Sequence, residues 1–105
     1  MRLQIATRHG HVSDEVRERT ETLVSGLTKY DPRVSAAEIV FNEEKNGCQV
    51  EVILHTDGDE PVVAHAEEAD FRAAADKVVD RLSRMLRKRR DRRRDHQHAP
   101  LSEGK

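Results

Sequence analysis

Residues 2–8 alternate apolar and polar positions, with Leu3 and Ile5 on one face, and the pattern predicts a strand. His9-Gly10-His11 reads as a turn. Ser13 then stands where a helix cap is needed, with Asp14 and Glu15 at the positive end of the helix dipole and Val12 and Val16 placed to form a hydrophobic staple. Val16, Thr20, Leu23, Val24 and Leu27 recur at helical spacing. The helix should stop near Lys29-Tyr30, because Pro32 disfavours helix in the residue before it. Residues 36–43 predict a strand with Ala37, Ile39 and Phe41 on one face, and Glu44-Lys45-Asn46-Gly47 a hairpin connection. Over 48–56 the period is two, with Cys48, Val50, Val52 and Leu54 inward and Gln49, Glu51, Ile53 and His55 outward. Asp57-Gly58-Asp59 is a turn. Residues 61–67 predict a weaker strand with Pro61 at its start, where proline is tolerated. From about Asp70 the period changes to that of a helix, and Phe71, Ala74, Val78, Leu82, Met85 and Leu86 share a face.

The expected order is therefore β-α-β-β-β-α: a single α+β domain over residues 1–95, a four-stranded sheet with two helices packed on one face, followed by a disordered polar tail over 96–105. The first crossover makes strands one and two parallel if they are neighbours, and the later hairpins are antiparallel. Only 35% of the 105 residues are hydrophobic and 37% are charged, so the core must be thin, one sheet covered on a single face. No apolar stretch approaches the roughly 20 residues that span a bilayer. A single cysteine, Cys48, allows neither an internal disulfide nor a multi-thiolate zinc site, which fits a reduced, cytoplasmic setting.

The formal net charge of −1 conceals a strong asymmetry. Residues 1–71 hold 7 Lys/Arg against 15 Asp/Glu, whereas residues 72–94 hold 11 Lys/Arg against 3 Asp/Glu. Lys77, Arg81, Arg84 and Lys88 form a stripe on the last helix beside the apolar one, and Arg87, Arg90 and Arg94 widen it. The apolar stripe ends where its next member would be Arg89, so the core should end near Leu86. A seven-residue strand spans about 23 Å. A helix over 71–94 spans about 36 Å. The last two turns should therefore project past the sheet into solvent. A cationic stripe of this kind points to a polyanion. Aromatic residues are only 3%, with Phe41 and Phe71 assigned to the core, so no platform remains for stacking single-stranded bases. The expected mode is phosphate and sugar contact with folded nucleic acid, for which arginine's bidentate geometry is suited.

Other chemistry is weakly supported. His9-x-His11 and His96-x-His98 each lack a third ligand at metal-site spacing. Cys48 lies on an inward strand face and reads as a small buried hydrophobe. Asp57-Gly58-Asp59-Glu60 lacks calcium-loop spacing. No phosphate-binding glycine loop, nucleophile elbow or kinase signature is present. No catalytic residue, cofactor or metal is expected, and the chain does not read as an enzyme.

Three groups of residues carry a family pattern. They are Val16-Arg17-Glu18 in a first helix ending at Lys29-Tyr30, Ala64-His65-Ala66-Glu67 entering Asp70-Phe71-Arg72-Ala73-Ala74-Ala75-Asp76, and above all Asp80-Arg81-Leu82-Ser83-Arg84-Met85-Leu86-Arg87-Lys88-Arg89-Arg90-Asp91-Arg92. In that order over about residues 1–95, the chain resembles the ribosome hibernation promoting factors, a family that includes the ribosome-associated translation inhibitors. The resemblance implies binding to the small ribosomal subunit and its ribosomal RNA, in the channel of messenger RNA and the A- and P-site transfer RNAs. Translation is then blocked by occupancy, under stress or in stationary phase. It assigns RNA contact to Lys77, Arg81, Arg84, Arg87, Lys88 and Arg90, and implies no small-molecule substrate, membrane or DNA partner. The chain departs from the family at Arg72, where tyrosine is frequent, and at Ala75, where a larger aliphatic is frequent. Leu23 and Gly26 stand where first-helix lysines are frequent, which leaves Lys29 and moves the burden onto the second helix. The ending from Arg92 resembles the start of the linker in long members of the family, so a short form and a truncated long form both fit. Two other readings of the basic helix stay open: a free-standing binder of double-stranded RNA, and a regulatory module docking on an acidic protein.

Overall fold

A computed structural model describes the backbone of residues 1–103 and the side chains of residues 1–93. Strand β1 (Arg2–Thr7) leads into helix α1 (Asp14–Ser25), whose last turn tightens into a 3-10 segment over Gly26–Lys29. Strands β2 (Val34–Glu44), β3 (Gly47–Thr56) and β4 (Val62–Glu68) follow, then helix α2 (Phe71–Glu103). The sheet order is β1-β2-β3-β4, with β1 parallel to β2 and the other two pairs antiparallel. This is the α+β architecture expected from the sequence. Over the polar tail expected at 96–105 the described backbone continues α2 to Glu103, and the side chains there lie outside the described part of the chain.

Local chemistry explains three of the boundaries. The Ser13 hydroxyl accepts the Val16 N–H at 3.2 Å, satisfying one orphan donor of the first turn of α1. Val12, 3% exposed, and half-buried Val16 brace that entry. Thr20 lies wholly inside α1's buried face because its hydroxyl donates to the Val16 carbonyl at 2.7 Å. At the β2–β3 turn, Gly47 has φ +148° and its backbone lies so close to β4 that a Cβ would sit 2.7 Å from the Glu68 carbonyl oxygen. The Asp70 carboxylate accepts the Ala73 N–H at 2.8 Å and starts α2.

The core fills one side of the sheet. Ile39, Phe41, Val50, Val52 and Leu54 of the strands meet Val24 of α1 and Ala74, Val78, Leu82 and Leu86 of α2, all without solvent exposure. Burial of each large side chain stabilises the fold by about 2 kcal/mol. Phe41 and Phe71 meet edge to face, 5.5 Å between centroids. Cys48 is buried as expected, and burial, followed by the carboxylates of Glu43 and Asp70, pushes its thiol pKa up, which keeps it protonated.

Two expectations about α2 need correction. Met85 is not a core residue: it is 40% exposed. It sits at the edge of the apolar stripe, on the flank toward β4, and β4 is the last strand of the sheet, so among the described residues nothing beyond it covers the side chain. The helix also does not leave the body of the protein after Leu86. Arg89 is only 15% exposed, and it and Arg93 hold α2 against the loops beneath for at least another turn.

Candidate nucleic-acid interface

Counting about 100° per residue from the buried centre at Leu82, the cations of α2 divide into three sets. Arg81, Lys88, Lys77 and Arg84 fall on the flank toward β4. Arg90 and Arg87 fall on the flank toward α1. Arg89 and Arg93 fall within about 20° of the buried centre itself.

The inner pair is committed to the fold. Asp31, 1% exposed, accepts the Arg33 backbone N–H at 3.0 Å and the Arg33 guanidinium at 3.3 Å. The guanidinium groups of Arg89 and Arg93 approach the same carboxylate at 3.8 and 3.7 Å. Arg89 also donates to the Glu60 carbonyl at 2.7 Å and the Thr56 hydroxyl at 3.1 Å. Asp59 closes the cluster, 3.2 Å from Arg33 and 3.6 Å from Arg89. Its own pKa is lowered, first by the Glu60 backbone N–H and then by the two arginines. This clamp of three guanidiniums and two carboxylates ties α2 to the turn after α1 and to the β3–β4 turn. The sequence holds one signal of it: the spacing Leu82, Leu86, Arg89, Arg93 continues the buried stripe with charged residues.

The outer cations are held loosely. Lys77 pairs with Glu68 at 2.9 Å, and Arg84 with Asp80 at 2.9 Å one turn away, with side chains 50% and 71% exposed. Arg81 donates to the His65 carbonyl of β4. Arg87 reaches the Ser83 carbonyl at 3.4 Å and lies over the Tyr30 ring, 5.4 Å from its centroid. Lys88 is exposed and makes no ion pair among the described residues. Half-buried Arg90 has a buried Nε without a hydrogen-bond partner among the described residues. Exposed pairs are worth about 0–1 kcal/mol, so a phosphate can displace Asp80 or Glu68 at little cost. Extracting Arg89 from the buried clamp would cost several times more.

The six residues expected from the sequence therefore all lie on α2, four on one flank and two on the other; five are exposed and Arg90 is half-buried. Lys29 lies against the same Tyr30 ring as Arg87, 5.2 Å from its centroid. Among the described residues no group of three His, Cys, Asp or Glu is placed to hold a metal ion, and no helix is long and apolar enough to cross a membrane. His96 and His98 lie outside the described side chains.

A family profile described as "Sigma 54 modulation protein / S30EA ribosomal protein" matches residues 3–94. A ribosome hibernation promoting factor of Azotobacter vinelandii is 32% identical over 97 residues, covering 92% of this chain and 90% of that protein. One of Escherichia coli K12 is 30% identical over 96 residues, covering 91% of this chain and all of that protein. Among solved structures, the N-terminal domain of Thermus thermophilus Protein Y superposes with a TM-score of 0.73 at 25% identity, covering 84% of this chain and 98% of that one. A ribosomal subunit interface protein of Coxiella burnetii gives 0.79 at 23% identity, over 87% of this chain and 99% of that one, and speaks for the fold alone.

Proposed function

We propose, from the premise that this chain belongs to the Sigma 54 modulation protein / S30EA ribosomal protein family, that it is a ribosome hibernation factor. It binds the small ribosomal subunit through the outer face of α2. There it occupies the channel of messenger RNA and the A- and P-site transfer RNAs, and inhibits translation by exclusion, without chemistry. Lys77, Arg81, Arg84, Arg87, Lys88 and Arg90 contact ribosomal RNA.

The observation that carries this reading is the division of labour along α2. Buried Asp31 takes up Arg89 and Arg93 and anchors the helix, while the exposed cations keep only weak partners. A phosphate surface meets a helix whose backbone is already ordered, so binding costs the rotamer freedom of the cationic side chains and not the folding of the segment that carries them. Each phosphate neutralised releases counterions, and six contacts would weaken binding roughly 10³-fold between 50 and 200 mM salt.

Co-sedimentation with purified small subunits tests the proposal. Binding is expected, with that steep salt dependence, and the combined substitution of Arg84, Arg87 and Lys88 by Glu is expected to abolish it. Undiminished binding of the triple variant would overturn the mechanism. Equal affinity for an arbitrary RNA duplex would mark the protein as a general double-stranded RNA binder, and capture of a protein partner that survives ribonuclease would favour an acidic protein target.

A further inference from the structure

The sheet face turned away from the helices carries an apolar run across three strands. Ile53 of β3 stands directly opposite Val63 of β4. Val40 of β2 lies one diagonal step from Ile53, because Val40 faces Glu51 and Glu38 faces Ile53. Val63 is 45% exposed, and Val40 and Ile53 are half-buried. Carboxylates flank the run. Glu38 is held by His55 at 2.6 Å, whereas Glu51 and Glu67 make no ion pair among the described residues. The residues of β2, β3 and β4 that point outward on this face include no lysine or arginine. Beside the run, Asn42, Gln49, Glu51 and His65 line a cleft of about 300 Å³, with Arg8 at its β1 side. The Asn42 Oδ1 is shielded from solvent there and accepts no hydrogen bond among the described residues. Shielded acceptors ordinarily have a donor, so the cleft holds acceptors that a ligand's donors would satisfy.

An apolar run flanked by carboxylates suits a segment that carries arginine or lysine beside aliphatic side chains. The stem of an arginine covers apolar surface while its head reaches a charge, and that head brings five donors to acceptors such as Asn42 Oδ1 and Glu51. Nucleic acid is excluded, because its phosphates would meet Glu51 and Glu67. The α2 of a second copy has the right charge, but in the proposed function its cations are taken by RNA. A protein that fills a channel is touched on opposite sides, and with α2 on phosphate the sheet face meets another wall. Proteins that line RNA neutralise it with lysine and arginine. We infer that the outer face of the sheet docks a cationic protein segment of the small subunit, its aliphatic parts on Val40, Ile53 and Val63 and a guanidinium or ammonium group in the cleft at Glu51 and Asn42. This rests on the proposed function and deepens it by giving the protein a second, oppositely charged contact.

The test uses the full chain and a Glu51→Gln, Glu67→Gln variant, which keeps the shape of the face, removes two charges and leaves α2 untouched. Binding to intact small subunits should weaken about tenfold, the worth of two partly exposed charge contacts. Ribosomal RNA stripped of protein should bind parent and variant alike. In parallel, an alternating arginine–valine peptide of about eight residues, long enough to cross four strands spaced about 4.8 Å apart, is titrated into the parent and followed by amide NMR. The amides of Val40, Glu51, Ile53 and Val63 should shift and those of α2 should not, and a peptide with glutamate in place of arginine should shift none. Arg8→Gln removes the cation beside the cleft and should tighten peptide binding about threefold; weaker binding would mean that the cleft takes an anion, and would overturn the inference. If the parent binds small subunits and the double variant binds equally well or better, the carboxylates at most repel RNA, and the docking assignment fails while the proposed function stands. If the parent does not bind small subunits, the proposed function fails and this assignment with it. Self-association of the free parent that the double variant abolishes would give the face to α2 of a second copy, and that too would overturn the assignment.

Discussion

Asp31→Asn is the most informative single change to the fold, because it removes one charge and almost no volume. The amide oxygen can still accept the Arg33 N–H, so the turn after α1 keeps its local hydrogen bond. What is lost is the anion that faces Arg33, Arg89 and Arg93 from a position with 1% exposure. Removing one member of a buried ion pair costs about 3–5 kcal/mol when the other is left without compensation. Here compensation is partial: Arg89 keeps the Glu60 carbonyl, the Thr56 hydroxyl and Asp59, and Arg33 keeps Asp59. The expected loss is therefore about 2 kcal/mol. For a domain of this size it lowers Tm by roughly 8–16 °C. Urea unfolding followed by circular dichroism measures it, and hydrogen exchange should show the amides around Arg89 losing protection first. The double variant Asp31→Asn, Arg89→Met removes the stranded cation as well, and should be less destabilised than the sum of the single changes by about 1 kcal/mol or more. A change under about 0.5 kcal/mol for Asp31→Asn, the range of ordinary surface substitutions, would refute the clamp as an anchor of α2.

Two further outcomes follow from the geometry. Leu82→Ala empties the centre of the stripe of α2, where exposure is zero, and should cost about 3 kcal/mol in urea unfolding; a loss under about 1 kcal/mol would mean that the helix packs less closely than described. Asp59, whose folded-state pKa is depressed, contributes stability above its unfolded value near pH 4 that disappears as pH falls through the lower folded value. Thermal melts from pH 6 downward should show this acid-side decline, and Asp59→Asn should flatten it; an unchanged profile would sink the assignment.

The fold was legible because its signals are periodic. Alternation at Val50, Val52 and Leu54 and helical spacing at Val78, Leu82 and Leu86 each state which face is buried, and the later turn residues divide the strands. Spacing alone puts Met85 with the core because it gives an angle on the helix and does not say where the sheet ends. A charged residue is exposed by default, so the spacing alone sends the turns after Leu86, Arg89 and Arg93 among them, into solvent. Their actual position follows from Asp31, some sixty residues away in the chain, and no local pattern links the two. The stripe of Lys77, Arg81, Arg84 and Lys88 is visible in the spacing, but the loose carboxylate partners that leave those cations displaceable are not. They come from β4 for Lys77 and from the preceding turn of α2 for Arg84.

The placement of charge also governs approach. Glu38, Glu51 and Glu67 stand on the sheet face away from the helices, while the exposed cations line the opposite side of the body on α2. A particle so divided feels little net pull toward a polyanion, yet it feels a torque. Arriving sheet-first it is pushed back, and arriving helix-first it is drawn in, so tumbling near the target turns unproductive collisions into aligned ones. Steering of this kind raises association rates by about 10- to 10³-fold. It fades once the screening length falls well below the roughly 8 Å of physiological salt.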